Sequence, residues 1–378
     1  ITGTNGKTTV ANLTASVLEA AGYNVGLSST AVFQDGLQRY DNELNMTVVN
    51  AFALQKLLRQ MVDSGAEWAV IEVTSHALAQ HRVWGLKYEV AALTNLTHDH
   101  LDYHGTMENY AAAKMRLFMD NPRLQVLNCD DDYYEQFELC DARTKLSYGL
   151  KAGDVTARNV KLAPVGSKFN LEYGGESTPV KLHLPGEFNV YNALAAAAIG
   201  LGLGIKPEII KKGIESVESV PGRMEYIDQG QEFGVVVDYA HTPDALEKVY
   251  TALRQATEGE LIGVLGAFGG NHDLTKFGPM GKIATEMCDY VVFTDDEPYD
   301  DDPDMLRQKL IDGAGEAGNF TAVGDRRRAM AAAFKRAQMG DTVVITGIGH
   351  QKYRSMAGGK VAWDDRTVAR EELTRLLG

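Results

Sequence analysis

ITGTNGKTTV, residues Ile1 to Val10, has the make-up of a loop that binds phosphate. Gly3 and Gly6 let the backbone close on an anion. The N–H groups from Gly3 through Thr4, Asn5, Gly6, Lys7, Thr8 and Thr9 then line the cradle. Lys7 neutralises the outer phosphates, and the Thr8 hydroxyl is a ligand for Mg²⁺. An amphipathic run, Val10 to Ala21, follows at once, so a helix N-terminus points at the anion. The strict form of such loops has glycine where this chain has Ile1, and the plain alternative is an ordinary glycine turn. The feeding strand is nearly absent, so the sequence reads as a piece cut just upstream of the loop.

Outward from the loop, the chain alternates strand and helix signals. WAVIEVTS (68–75), VAALTNL (90–96) and Leu124 to Asn128 are short apolar runs with polar ends. Helical patterns at Ala51 to Ser64 and Met107 to Met119 separate them, as expected of buried parallel strands with crossover helices. Asp154 to Leu184 alternates apolar and polar residues, which predicts an antiparallel extension. Two helices are predicted next, Val190 to Leu201 and Pro207 to Val217. Gly200, Gly202 and Gly204 follow a helix rather than a strand, so they read as a helix end and not as a dinucleotide fingerprint. Pro221-Gly222 is the expected boundary between domains 1–221 and 222–378. Beyond it the strand–helix pattern restarts at Phe233, Leu261, Tyr290 and Thr342. Each strand leads into a polar or glycine-rich loop, where ligands of open parallel sheets bind.

The 378 residues suggest about two to three domains. With 44% apolar residues the cores are ample, and a net charge of −14 argues against nonspecific nucleic-acid or anionic-membrane binding. No apolar run is long enough to span a bilayer. Cys129, Cys140 and Cys288 lack metal-ligand spacing, which points to a reduced cytoplasm and to small core residues.

Several side chains carry candidate chemistry. Glu72 ends a buried strand and is a Mg²⁺ ligand candidate; the alternative is a polar strand exit. THDHLDYHG (97–105) gathers His98, Asp99, His100, Asp102 and His104, and reads as a metal or phosphate site or as a solvated loop capping the next helix. Lys114 and Arg82 mean little in isolation. In VVVDYAHTPDAL (235–246), Asp238 ends a strand, His241 lies in the loop and Pro243 starts a helix. Asp238 suits a ribose or a bridging water. Arg223 suits a base or phosphate, or an inter-domain ion pair.

Together these segments resemble the Mur ligases, and most closely the MurE type. TGTNGKTT, EVTSHALAQHRV, TNLTHDHLDYHGTMENYAAAK, LPGEFNVYNALAA, GRME, VDYAHTPDAL, GGNHD, TDDEP, GIGH and WDDR occur in the family's order and span nearly the whole chain. The resemblance implies an α/β protein: a central P-loop ATPase domain with a mostly parallel sheet, then a C-terminal Rossmann-like domain. It also implies a uridine-binding domain that these residues do not include. The implied reaction is ATP-dependent addition of the third amino acid to UDP-N-acetylmuramoyl-L-alanyl-D-glutamate through an acyl phosphate. A cytoplasmic monomer is expected. By this likeness Lys7 and Thr8 hold ATP phosphates and Mg²⁺. Glu72 and His100 ligate magnesium ions, and Lys114 matches a carbamylated lysine that helps hold a second one. Thr47, Thr74, Gln80 and Arg82 match contacts to the muramoyl-dipeptide. Asn192, Arg223 and Asp238 match positions near the adenosine. His241 lies in a loop suited to assist amide formation.

Two departures matter. A Thr-Thr-Pro stretch of the family is Thr47-Val48-Val49 here, one hydroxyl fewer. Members that use meso-diaminopimelate carry Asp-Asn-Pro-Arg where this chain has Asp296-Glu297-Pro298-Tyr299. Their second arginine falls at His272. Gly347 and Gln351 lie in the facing GIGHQ stretch, with Ile348 in place of a lysine and Gln351 in place of a glutamate. Tyr299 has no charge and cannot make the bidentate pair of an arginine with a distal carboxylate. Glu297 and the run Asp300-Asp301-Asp302 add negative charge. The pocket therefore favours lysine or ornithine over meso-diaminopimelate, unless another cation faces it. The alternatives are a folylpolyglutamate synthase-like ligase and a nucleotide-binding scaffold without catalysis.

Overall fold

The computed structural model describes residues 1–42, 47, 50–163, 166–270 and 273–378. The chain divides into two compact units, Ile1–Glu218 and Ser219–Gly378.

In the first unit α1 (Lys7–Ala20) leaves the glycine loop directly and packs against α7 (Glu187–Gly202) and α8 (Pro207–Glu215). One sheet holds β1 (Val25–Ser28), β2 (Val32–Asp35), β3 (Arg39–Asp41) and β4 (Trp68–Ile71), in the order β3-β2-β1-β4. A second runs β10-β9-β8-β7-β6-β5, from β5 (Val90–Leu93), β6 (Leu124–Asn128) and β7 (Thr144–Gly149) to β8 (Val155–Ala163), β9 (Gly166–Tyr173) and β10 (Glu176–Leu182). The stub Ile1–Thr2 bridges the two sheets. Its amino group donates to Ile71 O at 2.9 Å, Val73 N–H donates to Ile1 O at 2.8 Å, and Thr2 pairs in parallel with Leu93. Two residues of strand thus aim the glycine loop off the sheet edge. The intervening helices are α2 (Ala51–Asp63), α3 (Ser75–Ala79), α4 (Leu101–His104), α5 (Met107–Met115) and α6 (Tyr134–Glu138).

Some elements differ from the sequence reading. The run 90–96 stops pairing at Leu93, because the polar groups of Thr94 to Thr97 bond to the glycine loop instead. The helix at Met107 ends at Met115. Tight turns there (Leu117 N–H to Lys114 O, 3.1 Å; Phe118 N–H to Met115 O, 2.9 Å) tuck Leu117 and Phe118 into the core. The hairpin strands β2 and β3 gave no sequence signal, since strands of three or four residues carry almost no periodicity. Only Cys288 is a fully buried cysteine; Cys129 and Cys140 are half-buried.

The second unit is an open sheet ordered β11-β12-β16-β13-β14-β15: β11 (Glu225–Tyr226), β12 (Gly234–Asp238), β13 (Leu261–Ala267), β14 (Tyr290–Asp295), β15 (Phe320–Ala322) and β16 (Thr342–Thr346). All pairs are parallel except β11 with β12. The central strands are valine- and isoleucine-rich and buried throughout, as parallel strands covered on both faces require. α12 (Arg326–Arg336) and α13 (Asp365–Leu377) pack on them through Met330, Phe334, Val368 and Leu373. α9 (Pro243–Ala256) and α11 (Pro303–Ala314) each begin with proline behind a capping side chain, Thr242 and Asp302, and α10 (Phe277–Met287) packs with both. A hairpin of β17 (Tyr353–Met356) and β18 (Gly359–Ala362) completes the unit. The loops after β12, β13, β14 and β16 all leave the carboxyl end of the sheet, which is the ligand-binding end of such folds.

Candidate active site

In the first unit the glycine loop is clamped from one side. Thr94 Oγ1 and Asn95 Nδ2 donate to Asn5 O (2.6 and 3.1 Å), and Asn5 N–H donates to Asn95 Oδ1 (2.9 Å). Thr97 N–H reaches Thr4 Oγ1 at 3.0 Å. A Cβ on Gly3 would fall 1.8 Å from Thr94 Oγ1. One on Gly6, which has φ +84°, would fall 2.3 Å from Asn192 Oδ1. Only glycine fits either position. Gly6 caps α1 without a side chain, so the helix presents its first N–H groups at the loop.

A line of oxygen atoms runs from the loop to Thr47. Thr8 Oγ1 donates to Glu72 Oε2 at 2.9 Å. Glu72, 2% exposed, also accepts from Thr30 N–H (2.8 Å) and Thr30 Oγ1 (2.9 Å). Thr30 Oγ1 then meets Thr47 Oγ1 at 2.7 Å. Thr30 had no sequence signal, yet it joins Glu72 to Thr47. Val48 and Val49 lie outside the described residues.

Lys114, the other lysine of interest, is 1% exposed and far from a solvated helix position. Its Nζ donates to Gly3 O at 2.7 Å and lies 4.5 Å from the centre of the Tyr110 ring. Burial, aided by the nearby Lys7 cation, holds its ammonium well below the usual lysine range. Lys7 Nζ itself donates to Thr4 O at 2.8 Å.

The THDHLDYHG stretch is more ordered than a solvated loop. His100 takes the left-handed conformation, φ 54°, at the start of α4. Its ring sits edge-on to His76 at 4.7 Å, and its Nε2 is 3.3 Å from Asp99. His104 Nε2 bonds Ser75 Oγ at 3.0 Å. Burial lowers the pKa of both His76 and His104. Thr74 caps α3, accepting from Ala77 N–H, while Gln80 links Arg82 (2.5 Å) to Tyr103 (3.3 Å). Among the described residues no three His, Cys, Asp or Glu side chains converge as a ready-made metal site.

In the second unit Arg223 stacks on Tyr239, 4.6 Å from ring centre to guanidinium, beside the buried Asp238. Asp238 accepts from Met224 and Ala240 N–H (2.7 Å each). Burial raises its pKa, against the pull of Arg223. His241 shares a 2.6 Å bond between Nδ1 and Tyr239 O; with Nδ1–H as the donor, Nε2 is the basic nitrogen. Phe268 packs on His241, and Lys276 Nζ lies 4.3 Å from the centre of the Phe268 ring. Lys276 was not singled out from sequence.

The loop Asp296–Tyr299 is held by β17. Arg354 Nε and Nη2 donate to Asp296 O (2.7 and 2.5 Å). Ser355 N–H donates to Glu297 Oε1 (2.9 Å), and Tyr299 N–H donates to Ser355 O (2.9 Å). The Asp296 carboxyl is buried beneath Gly347, whose Cβ would fall 2.0 Å from Oδ2. Burial lifts its pKa to about 7. Gln351 is buried, its N–H on Ile348 O at 3.2 Å. The acidic run does not line a pocket as a block. Asp301 binds Gly270 N–H, Asp302 caps α11 and Asp300 is exposed, so the buried carboxyls of this stretch are those of Asp296 and Glu297. His272 lies outside the described residues.

Comparison with known proteins matches the Mur ligase middle domain over residues 1–200 and the Mur ligase glutamate ligase domain over 222–349. This chain belongs to the Mur ligase family. It is 39% identical over 380 residues to "UDP-N-acetylmuramoyl-L-alanyl-D-glutamate--2,6-diaminopimelate ligase 1" of Clostridium acetobutylicum, covering 100% of this chain and 78% of that protein. The corresponding protein of Bacillus licheniformis is 40% identical with the same coverage. A solved structure of a ligase of that name superposes with a TM-score of 0.68 at 32% identity, over 100% of this chain and 78% of the other. MurF from Acinetobacter baumannii shares the fold (TM-score 0.72) at 20% identity, over 100% of this chain and 75% of the other.

The Mur ligase residues that sequence reasoning missed are those whose partners are distant in the chain. Arg326 is fully buried and forms a fork with Asp365 (2.8 and 2.6 Å), and Trp363 Nε1 donates to the same carboxylate. WDDR signals Asp365, but nothing local signals Arg326 or Arg354. For a magnesium nucleotide, the chemistry of the donor set fits. Thr8 and Glu72 offer hard oxygens side by side, and the first turn of α1 presents its N–H groups at the glycine loop.

Proposed function

We propose that this chain catalyses ATP-dependent addition of an amino acid to the D-glutamate of UDP-N-acetylmuramoyl-L-alanyl-D-glutamate, in peptidoglycan precursor synthesis. It is a ligase by family, and relatives near 40% identity carry the name of that activity. The observation that carries the reading is the line Thr8–Glu72–Thr30–Thr47. It ties the phosphate loop to a residue matching a dipeptide contact, as transfer of phosphoryl from ATP to a substrate carboxylate requires.

Each residue has a role consistent with its surroundings. A carboxylate does not react with an amine at neutral pH, since oxide is too poor a leaving group; an acyl phosphate supplies a good one. Gly3, Gly6 and Thr9 are assigned backbone N–H contacts to the triphosphate, while the expected N–H groups of Thr4 and Asn5 donate to Asn95 O and Oδ1 (2.8 and 2.9 Å) and hold the loop instead; Lys7 offsets the phosphate charge. Thr8, Glu72, His100 and a carbamylated Lys114 would hold Mg²⁺. When bound, the metal offsets the repulsion between two anions. The burial of Lys114 favours the neutral amine that reaction with CO₂ needs. Asn192, Arg223 and Asp238 are assigned to the adenosine. With Nδ1–H on Tyr239 O, Nε2 is the basic nitrogen of His241, and it is assigned the proton taken up during amide formation.

For the amino acid we favour lysine or ornithine. Glu297 is 8% exposed, and one of its oxygens is held by Ser355. Its Oε2 has no hydrogen bond among the described residues and suits a side-chain ammonium. Of the two buried arginines nearby, Arg354 is held by Asp296 O, and Arg326 is forked to Asp365 and bonded to Thr346 O, its Nη1 having no hydrogen bond among the described residues. The second reading, meso-diaminopimelate, is favoured by the relatives' names. The experiment is product analysis with the full-length protein, UDP-N-acetylmuramoyl-L-alanyl-D-glutamate, ATP and equal lysine, ornithine and meso-diaminopimelate. ADP with a lysine or ornithine tripeptide is the expected result. ATP binding with no new amide sinks the ligase reading, and a meso-diaminopimelate product sinks the choice of amino acid.

A further inference from the structure

Asp296, Glu297 and Tyr299 are tethered to two adjacent residues of one strand. The guanidinium of Arg354, a residue only 9% exposed, forks onto the carbonyl of Asp296 (2.7 and 2.5 Å) and lies 5.0 Å from the Trp363 ring centre. Ser355 gives its N–H to Glu297 Oε1 and takes the N–H of Tyr299, both at 2.9 Å. Tyr299 has φ +54°, an uncommon conformation for a tyrosine. Its ring packs against the open face of Gly270. A backbone turned this way needs support from outside, and Arg354 and Ser355 provide it. The turn leaves Glu297 more than nine-tenths buried at the carboxyl end of the sheet, with no hydrogen bond to Oε2 among the described residues.

We propose that Arg354 is a positioning residue for amino-acid selection, locking the Asp296–Tyr299 loop in the form that keeps Glu297 Oε2 open to a side-chain ammonium. This rests on the ligase reading and on a diamino monocarboxylic substrate. The cation here sits behind the loop. It binds the main chain, and the loop offers an anion. A neutral or single-point side chain cannot reproduce the two parallel donors of a guanidinium.

The test is steady-state kinetics of the full-length enzyme with Arg354→Gln and Arg354→Lys, alongside Glu297→Gln. Arg354→Gln is expected to raise KM for lysine or ornithine by about ten-fold or more. It should bring the ratio of diamino acid to meso-diaminopimelate use towards that of Glu297→Gln. KM for ATP and kcat at saturating amino acid should stay near those of the parent. Arg354→Lys should fall between parent and Arg354→Gln, which guards against a folding defect. Three results overturn the proposal. One is unchanged KM and selectivity. Another is a parallel rise in KM for ATP with a lower melting temperature, the mark of general support. The third is selective loss of meso-diaminopimelate use, which would make Arg354 a carboxylate receptor. A parent enzyme that prefers meso-diaminopimelate refutes the substrate choice before any variant is made.

Discussion

Gly3–Thr9 and Asp296–Tyr299 are both short loops at the ends of buried strands, but they are held by different means. The first is held by backbone groups and short polar side chains from Thr94 to Thr97 and from Asn192, with glycines where any Cβ would collide. The second is held by one long cation and one edge of a hairpin more than fifty residues on. A phosphate is the same for every nucleotide, so its loop tolerates little variation in composition or shape. A side-chain pocket must differ between amino acids, and a loop braced from behind can change its exposed groups while keeping its path.

The largest expected effect tests the phosphate side. Lys7→Ala should lower turnover by roughly 10²–10³-fold, the usual cost of losing a group that stabilises developing charge. The melting temperature should hardly move, because Lys7 is only half-buried and donates to one carbonyl. Near-normal ADP release by that variant would erase the contrast.

Lys114→Ala should cost about 10²-fold in turnover if the residue acts as a carbamate, with part restored by added formate or acetate. Mass spectrometry under ¹³CO₂ reports the adduct. A fully active variant together with an unmodified amine would return Lys114 to a structural role, bonded to Gly3 O and no more.

On the amino-acid side the effects are smaller. Glu297→Gln should shift selectivity between lysine and meso-diaminopimelate by about ten-fold, leaving KM for ATP unchanged. Competition assays read the ratio directly. A change in ATP affinity instead would mean that the two loops are not independent.

The smallest effect on turnover is expected from Asp296→Asn, which is read by thermal melts. Burial raises the native pKa of Asp296 from 3.8 to about 7. The native state therefore binds the proton more tightly than the unfolded chain. Its contribution to stability is full below about pH 4 and is lost as pH rises through about 7. Asparagine mimics the protonated form, so the drop in melting temperature between pH 5 and pH 8 should shrink in this variant. An unchanged slope would place the titration elsewhere.

Local sequence sufficed wherever one short stretch carries its own constraint. The glycine loop, the parallel strands of the second unit and the Pro243 and Pro303 helix starts were legible because conformation there follows from spacing, burial runs and missing N–H groups. Glu72, His100, Lys114 and Asp238 were legible as positions in motifs. What escaped was pairing at a distance. Thr30 bridges Glu72 to Thr47, Arg326 meets Asp365 and Arg354 meets Asp296 only because the fold brings separate loops together. The acidic run 300–302 reads as added negative charge in a pocket, but capping and turn geometry absorb Asp301 and Asp302, and the buried carboxyls are those of Asp296 and Glu297. Charge along a chain counts acidic groups. Which of them faces a ligand depends on which backbone N–H groups claim the others, and the tertiary structure decides that.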